Sequence, residues 1–249
     1  MSNQKVNISD SSMISIIKTH IKDGTGLSLT RFGDGDLDIL NERLTPHLIK
    51  FFTTVCKYKN PKEGLADGRN LLLKALKNSD YIGIMGNNKI SKKLSNIYKW
   101  DFNNKLLIES QRLKDPNFFD CMLVRGIDLG SIAGFKKIIE NNPICIVTPI
   151  TDELKRNNLE KHLGVKISYV KVPMGGNLKN KKELFKELDK ISEKIVITSN
   201  ALRGKEFPQY LSKKGKVCID MGATLDAWAG KITRPWFNDG NLQSHCLIK

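Results

Sequence analysis

From Pro143 onward the chain alternates short apolar runs with helical repeats. Ile144-Cys-Ile-Val147, Val165 to Val172, Ile195-Val-Ile197 and Val217-Cys-Ile219 predict four strands. Between them lie helical patterns from about Asp152 to His162, around Leu184, Phe185, Leu188 and Ile191, and one ending near Ser212. Strands alternating with such helices indicate βαβ units and a mostly parallel sheet. The N-terminal half shows the same signs less regularly. Met13, Ile16, Ile17 and Ile21 repeat at helical spacing between a cap at Asp10-Ser11 and Gly24. Leu27, Leu29 and Phe32 suit one buried side of a first strand, which breaks into Gly33, Gly35 and three carboxylates before a helix expected to begin near Leu37.

Pro46 interrupts the helical pattern from Leu37 to Lys59, and Pro61 precedes another helix through Leu71, Leu72, Ala75 and Leu76. Tyr81 to Met85 predicts a second buried strand, followed by a Gly86-Asn-Asn88 turn and a basic helix to Trp100. Between Lys105 and Asn142 the pattern is weakest: Leu106-Leu-Ile108 suits a strand, Pro116 opens a helix through Phe119 to Val124, and Ile138-Ile139 closes another. The expected architecture is α/β, a mostly parallel sheet of about six or seven strands with helices on both faces, in one domain over residues 1–249.

Composition narrows the function classes more than the fold. Forty-one Lys and Arg against 26 Asp and Glu give a formal net charge of +15, which favours an anionic partner: nucleic acid, a membrane surface or a phosphorylated substrate. The lysines are spread over most of the expected helices without a basic block interleaved with aromatics, so no specific nucleic-acid partner is predicted. No apolar stretch reaches the roughly 18 residues needed to span a bilayer, and the polar start from Met1 to Ser12 has no signal-like core. Contact of the basic surface with anionic membranes and self-association are left open. Cys56, Cys121, Cys145, Cys218 and Cys246 are far apart with no Cys-x-x-Cys pair, which fits reduced thiols in a cytoplasmic protein. His20, His47, His162 and His245 form no constellation with acids or cysteines. Trp228, Pro235, Trp236 and Phe237 make an aromatic cluster expected to pack in the core.

The chemistry concentrates at Asp34-Gly-Asp36-Leu-Asp38, where ligands bind at the carboxyl ends of strands in open α/β sheets. An EF-hand starting at Asp34 would need Gly and Glu where Ile39 and Thr45 stand. An aspartyl-nucleophile phosphatase would place an apolar strand directly before the first acid, whereas Gly33 is there. An Asp-x-Asp pair, Asp34 and Asp36, can instead hold a divalent cation against a diphosphate, with phosphate oxygens completing the shell. A solvated turn that caps the next helix is the plainer alternative. The loop Thr198-Ser-Asn-Ala-Leu-Arg-Gly-Lys205 joins a strand to a helix and is expected to offer backbone N–H groups to a phosphate there, with Ser199 and Asn200 as hydrogen-bonding groups and Arg203 and Lys205 as cations.

Arg31-Phe-Gly-Asp-Gly-Asp36 resembles the Arg-(Phe/Tyr)-Gly-Asp-Gly-(Glu/Asp) signature of the GT-D glycosyltransferases, a Rossmann-like family that uses a nucleotide-sugar donor and Mn2+. Asp36 departs from the family's commoner Glu by one methylene. Asn200 to Lys205, Val217-Cys-Ile-Asp220-Met-Gly222 and Asp226 are similar to that family's closing strands and acidic turn. The resemblance implies a glycosyltransferase with a UDP-linked donor and a glycan or glycoconjugate acceptor. It implies a divalent cation, Mn2+ or Mg2+, on Asp34 and Asp36. Arg31, Ser199, Asn200, Arg203, Lys205 and Asp220 would bind the donor, with Arg31 and Asp226 taking the catalytic roles. A non-catalytic nucleotide or nucleic-acid binding module with a basic surface is the alternative.

Overall fold

A computed structural model describes residues 8–84, 116–124, 131–156, 159–174, 181–231 and 233. Its centre is a seven-stranded sheet in the order β3-β2-β1-β7-β6-β4-β5, with every neighbouring pair parallel. The strands are β1 (Leu27–Arg31), β2 (Tyr81–Ile84), β3 (Phe118–Asp120), β4 (Ile144–Thr148), β5 (Ile167–Lys171), β6 (Ile195–Thr198) and β7 (Val217–Asp220).

Side-chain alternation along the strands sorts the core onto two faces. Leu27 and Leu29 of β1, Ile144 and Ile146 of β4, Ile195 and Ile197 of β6, and Val217 and Ile219 of β7 pack with α1 (Asp10–Asp23) in one cluster. Cys145, Val147, Val196 and Cys218 point the other way, against Phe207 and Leu211. Both faces are covered, as an all-parallel sheet requires, and this explains near-continuous apolar runs such as Ile144-Cys-Ile-Val147.

β1 departs from its expected one-sided burial. All five of its residues are buried, including Ser28 and Thr30 on the face opposite Leu27 and Leu29. Those hydroxyls are satisfied locally. The Ser28 hydroxyl donates to Asp80 at 2.7 Å, and Thr30 Oγ1 accepts from Ser79 at 2.8 Å and from the Gln209 amide at 2.8 Å. A buried polar group that keeps its hydrogen bonds escapes most of its desolvation cost, so the polar positions mark internal pairing rather than solvent.

The helices fix which strand ends stay open. α2 (Asp34–Leu40) starts directly at Asp34, three residues before the expected start at Leu37, because Asp36 occupies the third helical position and its carboxylate accepts the Gly33 N–H at 2.7 Å. α3 (Pro46–Lys50) is capped by Thr45, whose hydroxyl accepts from Leu48 N, and runs into a π-helical turn over Phe51–Val55. α4 (Pro61–Asn78) returns the chain to β2.

After β2 one expectation changes. Phe118–Asp120 is a sheet strand and Cys121–Val124 a 3-10 turn, where a helix from Pro116 to Val124 was expected; Phe118 and Phe119 alternate across an edge strand. α5 (Ile132–Ile139) is followed by α6 (Thr151–Arg156) and α7 (Leu159–Leu163), so the described residues of the span expected from Asp152 to His162 are helical. The chain continues through α8 (Lys182–Asp189), α9 (Phe207–Ser212) and α10 (Thr224–Trp228). Trp228 is fully buried and packs edge-on against Phe135 at 5.4 Å, in the core as expected. Gly86-Asn-Asn88, the basic helix to Trp100, Leu106 to Ile108, Pro235, Trp236, Phe237 and Cys246 lie outside the described residues. The other four cysteines are buried. Among the described residues no helix is long and apolar enough to cross a membrane.

Candidate active site

Four strands, β1, β7, β6 and β4, end at one cavity of about 580 Å³. Each contributes at its carboxyl end: Arg31 closes β1, Asp220 closes β7, Ser199 and Asn200 follow β6, and Thr148 closes β4. Parallel strands end on the same edge of a sheet, so residues nearly 190 positions apart meet because β1 pairs directly with β7.

The floor of the cavity is a chain of alternating charges. Asp220 is buried, and the Arg31 backbone N–H donates to its Oδ2 at 3.3 Å while the Arg31 guanidinium sits 3.6 Å from Oδ1. Arg31 Nε also donates to the Asp220 carbonyl at 3.0 Å. Lys205 Nζ donates to Asp220 Oδ2 at 2.7 Å and lies 3.5 Å from Asp36 Oδ2. Burial pushes the Asp220 carboxyl up, but the charges of Lys205 and Arg31 and the hydrogen bonds they make outweigh it and hold its pKa below the usual carboxylate value. Asp220 therefore stays ionised and orients both cations. It lines the cavity at the end of β7 and braces both cations there.

The turn after β7 is shaped around Arg31. Met221 N donates to the Thr198 carbonyl at 3.0 Å, which ties the turn to β6. Gly222 follows at φ +51°, and a Cβ there would stand 1.6 Å from Arg31 Nη2. Glycine is required twice, for the left-handed backbone and for the space the guanidinium fills.

Arg203 does not line the cavity, contrary to expectation. It is 1% exposed and directed to the far side of its 3-10 turn (Arg203–Lys205), 4.0 Å from Glu206 Oε2, and burial lowers its pKa while the charge of Glu206 opposes that shift. The expected helix N-terminus is also absent from this loop: α9 has six residues and begins at Phe207, beyond Lys205. Lys205, Ser199 and Asn200 are the polar residues of this loop that line the cavity. Ser199, Asn200, Ala201, Leu202 and Lys205 line the cavity while Arg203 and Gly204 do not, in a turn where Ala201 takes φ +38° and Gly204 N donates to the Asn200 carbonyl at 2.8 Å.

Asp36, Asp38 and Asp226 line the same cavity. Asp34 is the first residue of α2, and its side chain lies outside the described residues. Asp226 sits in the first turn of α10, half-buried, and its Oδ2 accepts from the Thr233 hydroxyl at 2.7 Å. The walls were not anticipated. Thr45, His47, Leu48 and Phe51 form one side, and Pro149, Ile150 and Met174 another. The Pro46 break and the Thr45 cap that place His47 there were readable, but nothing local indicates that α3 folds over the end of β1. Among the described residues no group of three or more His, Cys, Asp or Glu converges to hold a metal unaided. Asp36 brings a hard carboxylate to the cavity, a donor type that suits a divalent cation keeping waters in an incomplete protein shell.

A family model of the GT-D fold-like domain matches residues 8–228. Among solved structures, a glycosyltransferase of the domain of unknown function 1792 from Streptococcus sanguinis is similar at a TM-score of 0.58 and 16% identity, over 95% of this chain and 92% of that one. A second, for which that domain is described as having a distinct glycosyltransferase fold, gives 0.55 and 18% over 92% and 88% of the two chains. At these identities the likeness is one of fold. No curated protein matches the sequence at a significant level.

Proposed function

Because the chain belongs to the GT-D-like family, we propose that it is a metal-dependent glycosyltransferase, which moves a sugar from a UDP-linked donor to a hydroxyl of a glycan or glycoconjugate. The observation that carries this reading is the floor of the cavity: Arg31 and Lys205, two buried cations fixed by one buried carboxylate, facing Asp36 at the ends of adjacent strands. Buried cations held rigid before substrate arrives are suited to charge that grows on a leaving nucleoside diphosphate, because they need little reorganisation during the reaction.

The roles follow from position. Arg31 keeps Nε and Nη2 on Asp220, which orients the guanidinium toward the cavity as a phosphate clamp. Lys205 adds a second positive charge from the β6 side, and Ser199 and Asn200 supply a hydroxyl and an amide beside it. Asp34 and Asp36 would hold a divalent cation, whose chemistry is Lewis-acid stabilisation of the departing diphosphate. Asp226 faces the same cavity with one oxygen fixed by Thr233; in an inverting transfer it accepts the proton of the attacking hydroxyl. Calorimetric titration of UDP-sugars with and without Mn2+ tests the proposal. Binding that needs the ion supports it, and equal binding in EDTA counts against it.

A further inference from the structure

Lys205 holds its ammonium beside the Asp36 carboxylate that the proposed ion would use. Its ammonium lies 2.7 Å from Asp220 Oδ2 and 3.5 Å from Asp36 Oδ2, and the same Asp36 oxygen accepts the Gly33 N–H. The side chain is buried, its 3-10 turn is fixed to the core, and withdrawing it would strip Asp220 of its closest partner. The described residues also supply no set of three metal-ligating side chains. An ion arriving alone would therefore meet a fixed positive charge already facing one of its ligands.

We infer that Lys205 is a built-in counter-cation for Asp36, and that the site takes the divalent ion together with the nucleoside diphosphate, the free ion being disfavoured. This rests on the proposed reading of the cavity as a nucleotide-sugar site. With no donor bound, the ammonium offsets the carboxylate and repels a second cation. The diphosphate brings the negative charge that lets the ion and the ammonium share one small volume, and its oxygens complete the ion's shell. Lys205 then sets the order of binding in addition to facing the phosphate.

Water-proton relaxation enhancement tests this, since it reports Mn2+ on the slowly tumbling protein with or without UDP present. The wild-type protein should hold Mn2+ alone weakly and at least about tenfold more tightly with UDP, the scale expected for repulsion between a single and a double charge on one carboxylate. Lys205→Met should hold Mn2+ alone about tenfold more tightly than wild type, and Lys205→Arg, which keeps the charge, should not. Unchanged affinity for Mn2+ alone in Lys205→Met overturns the inference while leaving the proposed function standing. Should Lys205→Met fail to fold, the wild-type pair of titrations decides: Mn2+ bound as tightly alone as with UDP overturns it. No Mn2+ on the protein under either condition overturns both the inference and the function on which it rests.

Discussion

Replacing Gly222 by alanine should damage the site through Arg31, and Gly230 provides the control. Both glycines have positive φ, +51° at Gly222 and +76° at Gly230, but a Cβ at Gly230 meets nothing within 4 Å whereas one at Gly222 falls 1.6 Å from Arg31 Nη2. Alanine in the left-handed region costs about 1–2 kcal/mol, and Gly230→Ala should lose that alone. Gly222→Ala must in addition displace a buried guanidinium from Asp220, losing the 3.0 Å bond from Nε and the 3.6 Å ion pair. Charge-assisted contacts of this kind are worth about 1.5–3 kcal/mol, so the total should be about 3–5 kcal/mol. For a chain of 249 residues that corresponds to a fall in Tm of roughly 6–20 °C. Urea unfolding of both variants, and of each combined with Arg31→Ala, would isolate the steric part as a coupling energy. The excess loss at Gly222 should disappear once Arg31 is truncated. A Gly222→Ala variant within about 0.5 kcal/mol of Gly230→Ala would refute the placement of Arg31 over this turn.

Arg203→Ala should cost about 1–3 kcal/mol by removing the packing of a side chain that is 1% exposed, Glu206 keeping its ion pair with Lys181, while donor affinity of the folded variant stays within about twofold of wild type; a selective loss of donor binding would return Arg203 to the cavity. The folded-state pKa of Asp220 lies below its ordinary 3.8, so its ion pairs add stability at and above that pH and lose it as the pH falls through the lowered value. Acid titration of unfolding should show this limb below about pH 3.8, and Asp220→Asn should flatten it; an unchanged limb would mean that other groups carry it. Cys56, Cys121, Cys145 and Cys218 are buried, and burial pushes Cys56 and Cys145 up to about 11, so brief iodoacetamide treatment of the native protein at pH 8 should leave all four unmodified by peptide mass spectrometry. Rapid labelling of any of them contradicts the packing.

The parallel half of the sheet was the most legible part, because strands covered on both faces write uninterrupted runs such as Ile195-Val-Ile197 between helices. β3 was misread because a three-residue edge strand carries too little pattern to outweigh Pro116 as a helix start. In β1, Ser28 and Thr30 look like a solvent face, and only the distant Asp80, Ser79 and Gln209 show otherwise. The site divides in the same way. Arg31, Asp36, Lys205 and Asp220 could be named from two short motifs, but that Asp220 braces both cations depends on pairing of β1 with β7. Arg203 shows the limit: residues 199–202 and Lys205 of its motif line the cavity, yet Arg203 itself is buried away from it. The Leu48 and Phe51 wall left no local trace, since an apolar residue beside a ligand and one in the core look alike in sequence.

Sugar release from a panel of UDP-linked donors, followed with Mn2+, with EDTA, and in Asp36→Asn, tests the central claim most directly. The amide keeps the shape of Asp36 and removes the charge that would hold the ion. The account predicts release that requires Mn2+, stops with EDTA, and falls at least about a hundredfold in Asp36→Asn, a loss of about 2.7 kcal/mol of transition-state stabilisation, while the unfolding midpoint holds. Release that proceeds equally in EDTA and in the variant would contradict it.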